Sequence, residues 1–204
     1  LMPILTIAEA LNLALQQEME KDSRVMILGE DVGVDGGVFR ITDGLVKKFG
    51  EQRVVDTPLA ESGLVGSAIG LAMSGMRPIV EIQFDGFVYP AFDQLISHAA
   101  RMRTRSRGKL TCPLVVRFPY GGGVKALEHH SESMETIYIH TPGLKVVCPA
   151  TPYDAKGLLI SAIRDPDPVI FMEPKKLYRS LKEDVPEEEY TIPLGEARVM
   201  IEGT

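Results

Sequence analysis

Cysteine is scarce in this chain: there are two among 204 residues, Cys112 and Cys148, far apart and without CxxC spacing. They support neither a zinc site nor a disulfide framework, and they suit a reducing compartment. A basic excess is missing too. Twenty-two Lys and Arg stand against 28 Asp and Glu, for a net charge of −6, which argues against a nucleic-acid binder with its broad basic face. No apolar run approaches the roughly 18 residues that span a bilayer. No charged and apolar leader opens the chain, so neither a membrane segment nor a signal peptide is expected. Walker, GxSxG and early GxGxxG motifs are absent, as are HxH and HxxxH pairs. With 45% hydrophobic and 25% charged residues, the expectation is a soluble intracellular α/β protein of the cytoplasm, or of the mitochondrial matrix if a leader has been removed.

Helical and strand patterns alternate along most of the length. Thr6-Ile-Ala-Glu9 has the form of a capping box, and Ile7, Leu11, Ala14, Leu15 and Met19 follow on one helical face. Short apolar runs at Val25–Leu28, Val54-Val55, Ile79–Phe84, Leu114–Phe118, Val146-Val147 and Val169–Met172 read as buried strands. Between them come helical patterns at Leu45–Phe49, Ser62–Ser74, Ala91–Arg105 and Tyr153–Arg164. Repeated β-then-α order with continuous apolar strands predicts a mainly parallel sheet covered by helices on both faces.

The pattern over 62–74 has unusually small side chains, with Gly63, Gly66, Ser67, Gly70 and Ala72. Each Gly costs about 1 kcal/mol relative to Ala, and the expected return is close approach of another element. After Pro174 the chain becomes acidic and proline-bearing, with a weak strand-like alternation at Gly195–Ile201. Residues 1–180 are read as one domain, and 181–204 as a linker and the start of a further domain.

Ligands of a parallel α/β sheet bind beyond the carboxyl ends of the strands. That rule selects Gly29–Gly37, Asp56–Gly63, Phe84–Tyr89 and Pro119–Ser131. Glu61 has two readings, as a complement to a helix dipole or as a functional carboxylate. His129 and His130 are poor joint metal ligands because neighbours in a regular element diverge. One of them can serve as a proton donor beside the glycine-rich loop, or both can be surface residues. The basic run Arg101, Arg103, Arg105, Arg107 and Lys109 is either a solvated helix end or a docking point for an acidic partner.

Six ordered motifs carry a resemblance over essentially the whole chain: GEDVGVDGGVF (29–39), DTPLAESGLVGSAIGLAMSG (56–75), EIQFDGFVYPAFDQL (81–95), RFPYGGGV (117–124), HSES (130–133) and PGLKVVCPATPYDAKGLL (142–159). They resemble the β subunit of the E1 component of 2-oxo acid dehydrogenase complexes, of the pyruvate and branched-chain types, whose domain is a transketolase-like pyrimidine-binding fold. The resemblance implies thiamine diphosphate held between two chains, with an α subunit supplying the diphosphate and Mg²⁺ site through GDG…NN. Here Thr42-Asp43-Gly44 is the nearest approach to that motif and no paired Asn follows.

Glu61 then matches the glutamate that shares a proton with pyrimidine N1′ and so activates the cofactor. That role calls for a dry site. Phe87 matches the residue stacked on the pyrimidine, and Leu59 and Phe84 are implied to line the same pocket. His130 matches the histidine that protonates the dithiolane as lipoyl is reductively acylated. In several relatives a structural potassium ion is held largely by carbonyls. The matching segment runs from Ala162 to Asp167, implying Ala162, Asp165 and Asp167 as its holders, although Asp167 stands where those relatives have Asn. Implied partners are an E1 α subunit in an α2β2 tetramer, a lipoylated E2 core and a small 2-oxo acid. Family β chains continue into a C-terminal domain, so a fragment or cleaved product is expected. Two rival readings are a self-contained thiamine enzyme of the transketolase type and a non-catalytic α/β partner subunit.

Overall fold

The computed structural model describes residues 2–203. Six parallel strands form one sheet: β2 (Val25–Gly29), β3 (Val54–Asp56), β4 (Arg77–Glu81), β5 (Val115–Tyr120), β6 (Lys145–Val147) and β7 (Val169–Pro174). Their order is β3-β2-β4-β5-β7-β6. Successive side chains of a strand point to opposite faces. Val25, Ile27, Ile79 and Phe171 therefore meet the helices α1 (Ile7–Lys21) and α6 (Pro152–Arg164) on one side. Met26, Leu28, Val80 and Phe118 meet α3 (Glu61–Met73) and residues 85–102 on the other. Both faces are covered, as a run of continuously apolar parallel strands requires.

Helix α1 is built as its sequence predicts. The Thr6 hydroxyl accepts from the Glu9 amide at 3.3 Å, and the Thr6 amide donates to the Glu9 carboxylate at 2.8 Å. Two shorter elements, α2 (Leu45–Phe49) and α5 (Glu135–Ile139), lie at the edges.

Three differences from the sequence reading have physical causes. Residues 91–105 do not form one helix. Pro90, which has no amide donor, sits in a 3₁₀ segment Asp85–Ala91. A π-helical turn Asp93–His98, a short 3₁₀ turn and α4 (Met102–Arg105) follow. The basic run repairs this interruption: Arg101 donates to the Ile96 carbonyl at 3.1 Å and Arg105 to the Ser97 carbonyl at 2.6 Å. Second, Ile4–Thr6 is a strand, β1, paired antiparallel with β8 (Lys182–Asp184). Third, residues 195–201 form no strand and are exposed. The stretch just before them is held down, because the Lys156 ammonium donates to the carbonyls of Pro186, Glu187 and Glu188 at 2.5, 3.1 and 2.8 Å. No helix among the described residues is long and apolar enough to cross a membrane.

Candidate active site at the strand ends

Strands β2 and β4 are neighbours, yet the chain leaves them in opposite directions, β2 to β3 and β4 to β5. A crevice must open beyond their carboxyl ends at such a point. A cavity of about 400 Å³ lies there, and its walls come from all four strand-end loops: Glu30 after β2, Leu59 and Glu61 after β3, Gln83 and Phe87 after β4, and His129 after β5.

Glu61 is the first residue of α3. The N-cap, Ala60, offers no side-chain oxygen to the first-turn amides. The Glu61 side chain is half-buried and meets no hydrogen-bonding partner among the described residues. Glu30, which lines the same cavity, has its carboxyl pushed above the usual carboxylate range, chiefly by burial and further by the charges of Asp31 and Glu61. The loop behind Glu30 is tied to β3, because the Gly33 amide donates to the Asp56 carboxylate at 2.6 Å.

The far wall is aromatic. Phe84 is buried and meets the half-buried Phe87 edge-on at 5.6 Å. The His130 ring lies 4.5 Å from Phe84 and 5.2 Å from Phe87, between ring centroids. Asp85 fixes the segment that follows His130 by accepting from the Met134 amide at 2.9 Å and from the Tyr138 hydroxyl at 3.0 Å. Burial raises the Asp85 carboxyl's affinity for its proton, against those two donors. Gly86 cannot carry a side chain, since a Cβ there would stand 2.3 Å from the His129 carbonyl oxygen.

A charged network braces the sheet under the site. Arg117, 1% exposed, donates through Nε and Nη2 to Glu173 at 2.6 and 2.7 Å and through Nη1 to Glu81. Tyr178 donates its hydroxyl to Glu173 as well. Removing one partner of such a buried network strands a charge and costs about 3–5 kcal/mol. Gly37, at φ +79°, closes over this network, with room for a Cβ only 2.7 Å from a Glu81 oxygen.

Of the residues singled out from sequence, Glu61, Leu59 and Phe87 line the cavity together, while Phe84 and His130 stand one layer behind Phe87. Sequence reasoning did not single out Glu30, Gln83 or Tyr89. Glu30 was within reach of the strand-end rule, as the residue directly after the strand's last glycine. A second hollow, of about 500 Å³, opens beside Thr6, Asn12, Arg40 and Lys182. It has no aromatic wall, and its Glu9 is already engaged in the α1 cap.

The Ala162–Asp167 segment is shared out among the chain's own donors. Lys145 Nζ lies 2.7 and 2.6 Å from the two Asp165 carboxylate oxygens, and Arg103 Nε lies 2.7 Å from Asp167. The Ala162 carbonyl accepts from the Asp165 amide at 3.3 Å. Two side-chain cations thus engage the carboxylates of Asp165 and Asp167. No group of three or more His, Cys, Asp or Glu among the described residues is arranged to hold a metal.

Comparison with known proteins agrees with this architecture. The chain is 60% identical over 203 residues to the pyruvate dehydrogenase E1 component subunit beta of Acholeplasma laidlawii, covering 100% of this chain and 62% of that one. It is 56% identical over 202 residues to the 2-oxoisovalerate dehydrogenase subunit beta of Bacillus subtilis (strain 168), covering 99% and 62%. The chain thus spans about 62% of the length of these curated relatives. Among solved structures, a split gene transketolase in an inactive β4 tetramer superposes with a TM-score of 0.66 over 82% of this chain and 51% of that one, at 19% identity. That likeness speaks for the fold alone. The family described as transketolase, pyrimidine binding domain, matches residues 4–180, and the chain belongs to that family.

Proposed function

We propose that this chain is the pyrimidine-binding part of an E1 β subunit, acting with an α subunit in the cytoplasm to decarboxylate a 2-oxo acid and pass the acyl group to a lipoylated E2 core. The observation that carries this reading is the Glu61 carboxylate. It meets no hydrogen-bonding partner among the described residues and stands at the start of α3, lining an aromatic-walled cavity at the sheet's switch point. Relatives named for pyruvate and for 2-oxoisovalerate match almost equally well, at 60% and 56% identity. The substrate is therefore assigned only as a 2-oxo acid.

Thiamine diphosphate fits the residues present. A flat heteroaromatic ring suits the Phe87 wall, where offset or edge contacts between rings are favoured. Glu61 and Glu30, which line the same cavity, offer carboxyl groups to ring nitrogens. The diphosphate and Mg²⁺ ligands are assigned to the α subunit, in keeping with the family resemblance. When bound, thiamine diphosphate supplies the electron sink that lets a 2-oxo acid lose carbon dioxide.

This chain's residues do the rest. Glu61 holds a proton against the pyrimidine N1′, a task favoured once a partner chain excludes water. Phe87 orients the ring. Leu59, 67% exposed in the single chain, closes the cavity's mouth when covered. His130 delivers a proton to a dithiolane sulfur as the lipoyl group is reductively acylated. The α3 face carrying Gly63 and Gly70 meets little or nothing of this chain within 4 Å. The expected close approach is therefore assigned to a partner chain.

The test is recovery of the chain with a partner bearing GDG…NN, followed by assay of bound thiamine diphosphate and of 2-oxo acid decarboxylation. Glu61→Gln is expected to abolish decarboxylation while circular dichroism and cofactor-free assembly stay unchanged. Full activity of that variant overturns the reading, and cofactor retained by this chain alone replaces it with a self-contained thiamine enzyme.

A further inference from the structure

Lys175 is a buried cation that the reaction outlined above does not use. It opens the 3₁₀ turn Lys175–Leu177 directly after β7, two residues beyond Glu173, and is 7% exposed. A lysine is rarely buried without a partner, and burial lowers the proton affinity of this one, against the nearby charge of Asp85. Its ammonium donates to the main-chain carbonyl of His130 and lies 5.2 Å from the centroid of the Phe84 ring. A hydrogen bond from a charged donor is roughly twice as strong as a neutral one, and a cation over an aromatic face adds a further attraction.

The His130 ring has few other restraints. Nδ1 lies 2.9 Å from the Glu128 carbonyl, and the ring rests on Phe84 and Phe87. The residue before it, His129, sits at φ +69°, a left-handed conformation that a non-glycine residue holds only under constraint. Downstream, Asp85 fixes the chain again at Met134. Between those two points Lys175 is the side chain that grips both the His130 backbone and the ring beneath it.

We infer that Lys175 is the positioning residue for His130, setting the imidazole against the Phe84 and Phe87 rings so that it meets the incoming acyl acceptor. This inference rests on the proposed role of His130 in lipoyl acylation. It extends that role to a residue that neither touches the cofactor nor lines the cavity.

The test compares Lys175→Met, which keeps the unbranched stem and removes the charge, with Lys175→Arg, which restores a cation. The chain has four histidines, His98, His129, His130 and His140, so side-chain histidine NMR of the whole chain resolves each ring without cofactor. Lys175→Met is expected to move the His130 ring signals out of their aromatic ring-current position while His98 and His140 stay in place. In the assembled enzyme it is expected to slow lipoyl acylation by roughly ten- to a hundredfold, the scale of a misplaced reacting group. Decarboxylation measured with an artificial electron acceptor is expected to stay near its starting rate. Lys175→Arg is expected to bring back both the signal and part of the acylation rate.

Unmoved His130 signals in folded Lys175→Met overturn the inference, as does an equal loss in both assays. His130→Ala tests the underlying reading separately. If that variant acylates lipoyl normally, the role of His130 falls, while the NMR result still reports whether Lys175 holds the ring.

Discussion

Helices α1 and α3 each carry a glutamate in the first turn, Glu9 and Glu61, and nothing in the residue type tells the two apart. In α1 the glutamate is engaged. It accepts from the Thr6 amide and hydroxyl at 2.8 and 2.7 Å, and those bonds hold its carboxyl below the usual range. The helix is amphipathic, packs on α6 and ends with a capping bond from Asp22. In α3 the residue before the glutamate is alanine, no side-chain bond caps the N-terminus, and a Cβ at Gly63 or Gly70 would meet little or nothing. One helix satisfies its own ends. The other leaves its N-terminal glutamate without a hydrogen-bonding partner among the described residues. On the proposed function, a first-turn glutamate left outside any cap is a stronger functional signal than a perturbed glutamate inside a complete one.

Exchanging the two roles is the sharpest way to break this contrast, and it carries the largest expected effect. Glu61→Gln is expected to reduce decarboxylation by roughly 10²–10⁴-fold or more and to leave the urea midpoint of the chain nearly unchanged. Glu9→Gln should do the reverse, leaving turnover intact while lowering stability by about 1 kcal/mol, the typical value of a cap. Parallel denaturation curves and turnover assays on the two variants decide it. Equal losses of activity would show that α1's cap also serves the site.

Much of this was legible in the sequence because hydrophobic pattern and strand-end chemistry are local. The parallel sheet and the α1 cap follow from runs of Val and Ile and from Thr6 and Glu9, and Glu61 from the loop after β3, while Leu59 and Phe87 are singled out only by the family resemblance. What escaped was set by contacts distant in sequence. β1 pairs with β8 across the whole chain. Arg101 and Arg105 repair carbonyls freed by a distortion that their own helical periodicity hides. Lys145 and Arg103 claim Asp165 and Asp167 from separate elements, which no motif over 162–167 reveals. Lys175 lies in no motif quoted from the sequence, and only the fold brings it to the His130 carbonyl.

Acid should weaken α1 before α3, an effect of smaller size. Asp22, at the C-cap of α1, has its carboxyl lowered from 3.8 to about 2 by its hydrogen bonds with Arg24. Glu9 is lowered by its bonds to Thr6. A carboxyl with a depressed folded-state pKa contributes its stability above the unfolded value, and that contribution is lost as pH falls through the folded one. For Asp22 the loss runs from about pH 4 down to about 2. Glu9 is exposed and Asp22 only partly buried, so solvent screening keeps the effect modest. Residue-resolved amide exchange between pH 5 and pH 2.5 should show α1 protection falling first. Asp22→Asn should flatten that dependence at the helix's C-terminal end. A dependence identical in α1 and α3 would mean that the caps contribute nothing local.

The smallest expected effect bears on what covers α3. A Cβ placed at Gly70 would meet no atom within 4 Å, and Gly70 does not need the left-handed conformation. In the chain by itself, Gly70→Ala should therefore stabilise by about 0.5–1 kcal/mol, because alanine restricts the unfolded chain and favours helix. If the stripe is instead the seat of a partner helix, the added methyl stands between two backbones that must approach closely, and overpacking costs about 1–3 kcal/mol. The same substitution then has opposite signs in the two states. Urea midpoints of the single chain, set beside the dissociation constant of the partnered one, separate them. A rise in the first with a weakening of the second places a partner on α3. Stabilisation in both leaves the stripe as open surface, and the missing return for its glycines would have to be sought in the freedom of the helix start around Glu61.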